Sequence, residues 1–355
     1  EVFSTEQTTH SGPIPWALSS NLRVQDIMND YIPAAWSTEP VIASLKTMHK
    51  NGLVQLPVRV MYGTSEREQT FIGSIRAKDI FREIVSSASP LERSYYDWDV
   101  LNYPVSKVMR HKTRTVSIDS GMERAIAALS VESLDSVLVA DGPQGAGCIQ
   151  SCDVLRLLRR LGNIFDIIRN DDTGEMDQVL SLSLLSLIEM LQKGPFTARQ
   201  MMHKPTLFLE EQDDLMKAMS LFASGYGRNI PVLTDEGAFS GFVSDRDVLG
   251  FLAGLRVGNT EDDVLYEGKL SRSALRDITI SDIMPEDGPF VEGNVYFWEV
   301  CDTMLENNLT CLPVFDKEAN TYGILTSADL IKGLRDLIQV YPNILRLLTV
   351  DEMTE

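Results

Sequence analysis

The chain is poor in the groups that build metal centres and nucleophilic sites. Its 355 residues include four cysteines and four histidines. Cys148 and Cys152 have no second pair and no histidine cluster beside them, and Cys301 and Cys311 stand apart, so no zinc pattern is present. The histidines, His10, His49, His111 and His203, are scattered. The thiols read as ordinary buried or partly buried side chains. That fits a reducing compartment, and a cytoplasmic location is expected. A G-x-S-x-G elbow, a Walker A loop and an H-E-x-x-H pair are also missing, so the expectation is no catalytic residue, no metal site and no enzyme. Basic charge is scarce: 32 lysines and arginines stand against 51 aspartates and glutamates, a net charge of −19. That excludes a general nucleic-acid binder, which needs a basic face, and argues against an anionic membrane surface. A small anionic ligand is compatible only where basic residues gather locally. No apolar run reaches the roughly 20 residues of a membrane span. The chain starts at Glu1 rather than Met, which leaves open a targeting segment removed upstream.

What is present is repetition. The composition, 44% hydrophobic and 23% charged, supports buried cores, and the length suggests about two domains. Gly241–Val248 reads GFVSDRDV and Gly323–Leu330 reads GILTSADL. Each is preceded by a Pro-Val run, NIPVL (Asn229–Leu233) or CLPVF (Cys311–Phe315). Met202 of RQMM and Met284 of SDIM each stand 39 positions before the motif glycine. The same frame recurs earlier. QDIM (Gln25–Met28) leads to QLPVRV (Gln55–Val60) and GSIRAKDI (Gly73–Ile80). SKVM (Ser106–Met109) leads to SVLVAD (Ser136–Asp141) and GCIQSCDV (Gly147–Val154). Four units follow, with motif aspartates Asp79, Asp153, Asp247 and Asp329. In each, apolar spacing predicts a helix, two short strands and a second helix, with an extended piece near the start. Leu215–Gly225 and Val295–Asn307 show the helical period and close on Gly or Asn. The turn TDEG (Thr234–Gly237) separates two strands. One unit buries only one face of a small sheet, so pairs are needed to close a core.

The repeated junction ends a strand at a hydroxyl and begins a helix. Unpaired N–H groups there suit a phosphate, and the aspartate three residues on can accept from ribose hydroxyls. Glycine admits a close approach of backbone or ligand. Ser-x-x-Asp is equally a capping box that needs no ligand. Both alternatives stand on the motif alone.

Taken together, the x-D-I-M tetrad, the Pro-Val strand and G-h-h-[ST]-x-x-D in one register resemble CBS domains, the modules named after cystathionine β-synthase. The resemblance covers about residues 22–340. It implies an α+β fold of four tandem CBS repeats, each a small sheet plus two helices, paired into two Bateman modules. The expected organisation is a polar arm over 1–21, module one over 22–165 with repeats 22–85 and 104–165, and a linker and helix over 166–195. Module two follows over 196–340, with repeats 196–256 and 277–340, and then a tail over 341–355. In repeat number the chain resembles the gamma subunit of AMP-activated protein kinase.

The resemblance implies a non-catalytic regulator that binds AMP, ADP or ATP in its clefts and signals to a protein partner, a kinase or another regulated enzyme. S-adenosylmethionine and magnesium are used by some relatives. The alternative is a structural dimerisation scaffold with vestigial clefts, and a homodimer through exchanged modules is open. The ribose and phosphate candidates are Ser244, Asp247, Thr326 and Asp329. Units one and two carry Arg76 and Gln150 at the hydroxyl position, so Asp79 and Asp153 mark weaker, degenerate sites. For phosphate, unit three gathers Arg199, His203, Lys204, Arg228 and Arg246. Arg228 is the first candidate by its place before the Pro-Val strand, against a solvated loop arginine. Thr310 and Cys311 hold that place in unit four. Unit two offers the basic run MRHKTRT (Met109–Thr115). Thr206 and Leu207, with Pro289 and Phe290, match the adenine pocket by position. Outside the repeats, Tyr95, Tyr96, Trp98 and Tyr103 read as packing of a connecting segment or an interface, and Gln178–Gly194 as an amphipathic helix. Residues 258–267 read as an acidic linker.

Overall fold

The structure, a computed structural model, describes residues 22–31, 33–61, 69–86, 100–111, 113–132, 134–142, 144–169, 196–255, 265–266, 269–285, 288–318, 321–341 and 344–349. The arm over 1–21, the aromatics Tyr95, Tyr96 and Trp98, and the helix expected over 178–194 lie outside them.

Each unit is one strand, a helix, a hairpin and a second helix. Unit one runs β1 (Ala35–Trp36), α1 (Val41–Lys50), β2 (Gln55–Met61), β3 (Gln69–Arg76) and α2 (Ala77–Ser86). After a short helix α3 (Val105–Val108), unit two runs β4 (Thr115–Ser117), α4 (Met122–Glu132), β5 (Ser136–Asp141), β6 (Gln144–Gln150) and α5 (Ser151–Arg169). After α6 (Ala198–Met201), unit three runs β7 (Leu209–Glu210), α7 (Leu215–Ser224), β8 (Asn229–Leu233), β9 (Phe239–Ser244) and α8 (Asp245–Gly254). A small hairpin, β10 (Leu265–Tyr266) with β11 (Lys269–Leu270), and α9 (Arg272–Asp277) connect onward, so part of the acidic linker is structured. Unit four runs β12 (Val291–Glu292), α10 (Phe297–Glu306), β13 (Cys311–Asp316), β14 (Thr321–Thr326) and α11 (Ser327–Val340).

The sheet of each unit has three strands. The short first strand pairs parallel to the second, and the second antiparallel to the third. Local chemistry explains the boundaries. Asp214 caps α7 by accepting from the Lys217 N–H, and Gly225 closes that helix at φ 84°, a conformation glycine adopts without a Cβ penalty. In the TDEG turn Gly237 has φ 76°.

The helices settle how the units pack. α1 lies against α8 and α2 against α7, joining units one and three. α5 lies against α10 and α4 against α11, joining units two and four. Two hydrophobic cores result. One holds Leu45, Met48 and Phe81 together with Phe222, Leu249 and Leu252, and the Phe81 and Phe222 rings sit 6.4 Å apart. The other holds Ile126, Leu129 and Leu158 with Met304, Leu330 and Leu334. Ile344, Leu345 and Leu348, beyond α11, are buried in the second core, and the Leu348 carbonyl accepts from Arg160.

Neighbours in sequence are tied differently, by exchanged lead segments. The turn at Val24–Asp26 bonds to unit two: Val24 donates to the Ser120 carbonyl, and Asn29 bridges to Cys148. α3, the lead of unit two, lies on unit one, where Val105 donates to Glu39 and Arg110 bridges to Ser74. α6 lies on unit four, where Ala198 donates to Val295 and His203 bridges to Ile324. The turn at Ile280–Asp282 lies on unit three, with Ile280 donating to Asp213. Units one and two thus form one module and units three and four the other, both within a single chain.

The crossing leads account for the motif glycines. A Cβ on Gly73 would stand 1.9 Å from the Arg110 carbonyl oxygen. One on Gly147 would stand 2.7 Å from the Asn29 oxygen, and one on Gly323 would meet Met202 Sδ at 2.8 Å and the His203 oxygen at 3.0 Å. Gly241 is the loosest, meeting only the Met284 side chain at 3.6 Å.

Candidate functional site

Because leads are exchanged, each junction faces a segment from its module partner. The Thr326–Asp329 junction meets the lead of unit three, and the Ser244–Asp247 junction meets the lead of unit four. Thr206 and Leu207 therefore lie on the segment running from His203, on the sheet of unit four, to β7 of unit three. Pro289 and Phe290 lie on the segment between Met284, beside Gly241, and β12. Thr206 and Phe290 are exposed, and Leu207 and Pro289 partly buried.

Both C-terminal junctions form complete capping boxes. Asp247 Oδ2 accepts from the Ser244 backbone N–H (2.7 Å) and hydroxyl (2.6 Å), while Ser244 Oγ accepts from the Asp247 N–H. Thr326 and Asp329 repeat this at 2.8 and 2.6 Å. In both, the described residues place no hydrogen bond or ion pair on Oδ1. His203 Nδ1 stands 3.4 Å from Asp329 Oδ2. Burial pushes the Asp329 pKa up, but His203 and the Thr326 hydroxyl and N–H outweigh it and hold the carboxyl below its ordinary value. The same contact raises the His203 pKa against partial burial. Among the described residues no cation pairs with the Asp247 carboxylate, and burial raises its pKa.

The N-terminal junctions differ. Asp153 spends Oδ2 on the Gln150 N–H (2.7 Å) and Oδ1 on Arg156 (2.7 Å). Asp79, 4% exposed at its side chain, is enclosed by three guanidinium groups: Arg76 Nε at 2.7 Å and Nη2 at 3.1 Å, Arg82 Nη1 at 2.9 Å and Arg110 Nε at 2.9 Å. Burial pushes Asp79 up, yet Arg76 and Arg110 hold it below the ordinary carboxylate value. Both oxygens of each N-terminal carboxylate thus already accept a hydrogen bond, unlike those of Asp247 and Asp329.

The basic residues of unit three do not gather at one cleft. Arg199 is carried by α6 to unit four, where it pairs with Asp316 (2.6 Å) and Glu318 (2.5 Å). His203 joins Asp329. Lys204 is exposed. Arg228, 17% exposed at its side chain, is no solvated loop arginine. It pairs with Asp135 of unit two at 2.6 Å and grips Asp245 with Nε at 2.9 Å and Nη2 at 3.2 Å. Arg246 adds Nη2 to Asp135 at 3.1 Å and Nη1 to the Asn308 carbonyl at 3.2 Å. Its Nε–H is buried without a hydrogen-bond partner. Beside this cluster Asn229 donates to the Thr310 hydroxyl at 3.2 Å. Burial alone would raise the Asp135 pKa, but Arg228 and Arg246 hold it below the ordinary value. Two arginines of one module and one aspartate of the other therefore meet in a buried ion cluster. Sequence spacing pointed to Arg228 but carried no signal for Asp135, which stands one residue before β5 as Arg228 stands one before β8.

Among the described residues no group of three or more His, Cys, Asp or Glu is placed to hold a metal ion. All four cysteines are free. Burial pushes Cys148 and Cys152 up to about 11, with Asp153 adding to the shift, and raises Cys301 and Cys311 further. No described helix is long and apolar enough to cross a membrane.

Comparison with known proteins agrees with this geometry. Residues 24–86, 198–254 and 280–336 match the family described as CBS domain. The crystal structure of protein MJ1225 from Methanocaldococcus jannaschii, proposed as an archaeal homolog of g-AMPK, shares the fold. It covers 88% of this chain and 100% of its own, with a TM-score of 0.67 and 18% identity. The CBS domain pair of protein MJ0100, solved with 5-methylthioadenosine and S-adenosyl-L-methionine, covers 39% of this chain and 97% of its own, with 18% identity and a TM-score of 0.31. The uncharacterized protein MJ1426 of Methanocaldococcus jannaschii is 25% identical over 156 residues, 38% of this chain and 89% of the relative. With four sheets of one topology, exchanged leads and matched segments in both halves, the chain belongs to the CBS-domain family, its repeats paired as two Bateman modules.

Proposed function

We propose that this protein is a non-catalytic, cytoplasmic sensor that binds an adenine nucleotide (AMP, ADP or ATP) in the clefts of its C-terminal module. The observation that carries the reading is the spare Oδ1 on Asp247 and on Asp329. Each carboxylate holds its helix cap with one oxygen and keeps the other for a donor such as a ribose hydroxyl. Thr206 and Leu207 serve the Asp329 cleft, and Pro289 and Phe290 the Asp247 cleft, because the leads are exchanged. Arg246, next to Asp247 and holding a buried unpartnered Nε–H, is the nearest cation for a phosphate. An anion there competes with Asp135 for Arg246 and Arg228, which loosens the tie between modules. A ligand that favours the loosened state shifts the population, and a partner enzyme reads the shift. S-adenosylmethionine is the competing ligand to test. The engagement of both oxygens of Asp79 and of Asp153 favours a structural role for those carboxylates.

Calorimetric titration with AMP, ADP, ATP and S-adenosylmethionine tests this on the wild type, Asp247→Asn and Asp329→Asn. Asparagine can still cap the helix but removes the charged acceptor. Loss of a charged hydrogen bond, about 1.5–3 kcal/mol, predicts binding weakened by about tenfold or more. No heat from any of the four on nucleotide-free protein leaves the scaffold reading in its place.

A further inference from the structure

The cleft of unit one has an excess of positive charge that this acidic chain neutralises only in part. Arg76, at the end of β3, Arg82 on α2, and Arg110, from the exchanged lead, all bond one carboxylate, so their guanidinium groups are neighbours. Lys78, half-buried on α2, belongs to the same cluster. Burial lowers its pKa, and Arg76, Arg110 and Arg82 lower it further against the opposing pull of Asp79. Four cations less the single Asp79 carboxylate leave three positive charges together. Among the described residues no other acid pairs with any of the four. Arg82 is tied to unit three, its Nη2 donating to the Ala223 carbonyl at 2.6 Å. Among the described residues Arg110 bonds by its side chain only to Asp79, through Nε, and that side chain is 48% exposed. The placement is built in, because Gly73 is what lets the Arg110 backbone cross β3. Three residues beyond Arg110, Thr113 Oγ1 is buried with no hydrogen-bond partner. Like charges crowded in a partly desolvated place repel strongly, and a multivalent anion relieves that repulsion.

We propose that the unit-one cleft binds a diphosphate anion through Arg76, Lys78 and Arg110, with no ribose contact. A diphosphate fits the count, with two to three negative charges spread over oxygens that forked guanidinium donors match. A single carboxylate does not, since Asp79 already supplies one. Ribose has no approach here because the Asp79 side chain is only 4% exposed and both its oxygens already accept from guanidinium groups. The inference stands apart from the nucleotide reading, which concerns the other module.

The test is titration of the full chain with inorganic pyrophosphate in low-salt buffer free of phosphate. Arg110→Gln and Lys78→Gln are expected to weaken binding by about tenfold or more, the loss of one charge-assisted contact. Lys332→Gln, an equal loss of charge at an exposed position on α11, is expected to leave it unchanged, and saturating adenosine is expected not to compete. ADP that competes in the double variant Asp247→Asn, Asp329→Asn as in wild type identifies the diphosphate as the tail of a larger molecule; pyrophosphate binding without such competition identifies the free anion. Arg110→Gln leaves Asp79 with Arg76 and Arg82, and circular dichroism checks that it folds; Lys78→Gln carries the same expectation independently. No heat from pyrophosphate, or equal affinity in both variants, overturns the proposal even if nucleotides bind elsewhere. Competition by adenosine overturns the claim that ribose has no place there.

Discussion

Replacing Asp135 by alanine should be among the most costly single changes on this chain, for a reason that lies between its modules. The Asp135 side chain is 5% exposed and holds Arg228 at 2.6 Å and Arg246 at 3.1 Å. Removing one member of a buried pair strands a charge and costs about 3–5 kcal/mol. Here the loss is partly cushioned. Arg228 keeps its two bonds to Asp245, while Arg246 keeps only the Asn308 backbone and side-chain oxygens. The expected loss is therefore about 3 kcal/mol, at the low end of that range. The pH dependence has a definite sign. The folded-state pKa of Asp135 is lowered, so its contribution is fully present above the unfolded carboxylate value of about 3.9 and disappears as pH falls through the lowered folded value. The gap between wild type and Asp135→Ala should stay constant through neutral pH and close only in acid. Equilibrium urea unfolding of the full chain measures it. Asp302→Ala is the internal control. Asp302 also pairs across the modules, with Arg159, but at 3.5 Å and with both side chains more than two-fifths exposed. Such a pair contributes about 0–1 kcal/mol. If Asp135→Ala costs no more than Asp302→Ala, the buried cluster is not what ties the modules.

Two further outcomes follow from the crossing leads. Gly73→Ala should destabilise by about 1–3 kcal/mol or more, since its Cβ would meet a backbone oxygen at 1.9 Å; Gly241→Ala, at the same motif position but facing only a methionine side chain at 3.6 Å, should stay within about 0.5 kcal/mol in urea unfolding. His203 should titrate above the ordinary imidazole value by NMR, and Asp329→Asn should return it toward that value. The His203–Asp329 attraction then operates below the raised His203 pKa and above the lowered Asp329 pKa, and is lost on either side.

Much of the architecture was legible in the sequence. The 3.6-residue spacing of Leu215, Ala218, Met219 and Phe222 marks the buried stripe of α7, and Asp214 and Gly225 mark its ends. Ser-x-x-Asp announced the helix caps that Ser244 and Thr326 form. The partners of those elements were not legible. Four units carry nearly the same apolar stripe, so any could fill any other's groove, and periodicity does not say that α7 meets α2 rather than a helix of unit four. The leads were read as the starts of their own units, yet His203 serves Asp329 and Arg110 serves Asp79. A glycine in the motif hinted at a close crossing without naming what crosses.

The sequence by itself determined the repeat: four strand–helix–hairpin–helix units, their caps, and an aspartate at each junction. Hydrogen bonds within three or four residues and apolar periodicity are local, so local residues suffice to specify them. Tertiary structure alone decided which carboxylates keep a free oxygen, which arginines are spent on Asp79 or Asp135, and where uncompensated positive charge collects. Those outcomes depend on side chains from distant units meeting at a few ångströms, where Coulomb and desolvation terms are large, and chain order does not encode such meetings.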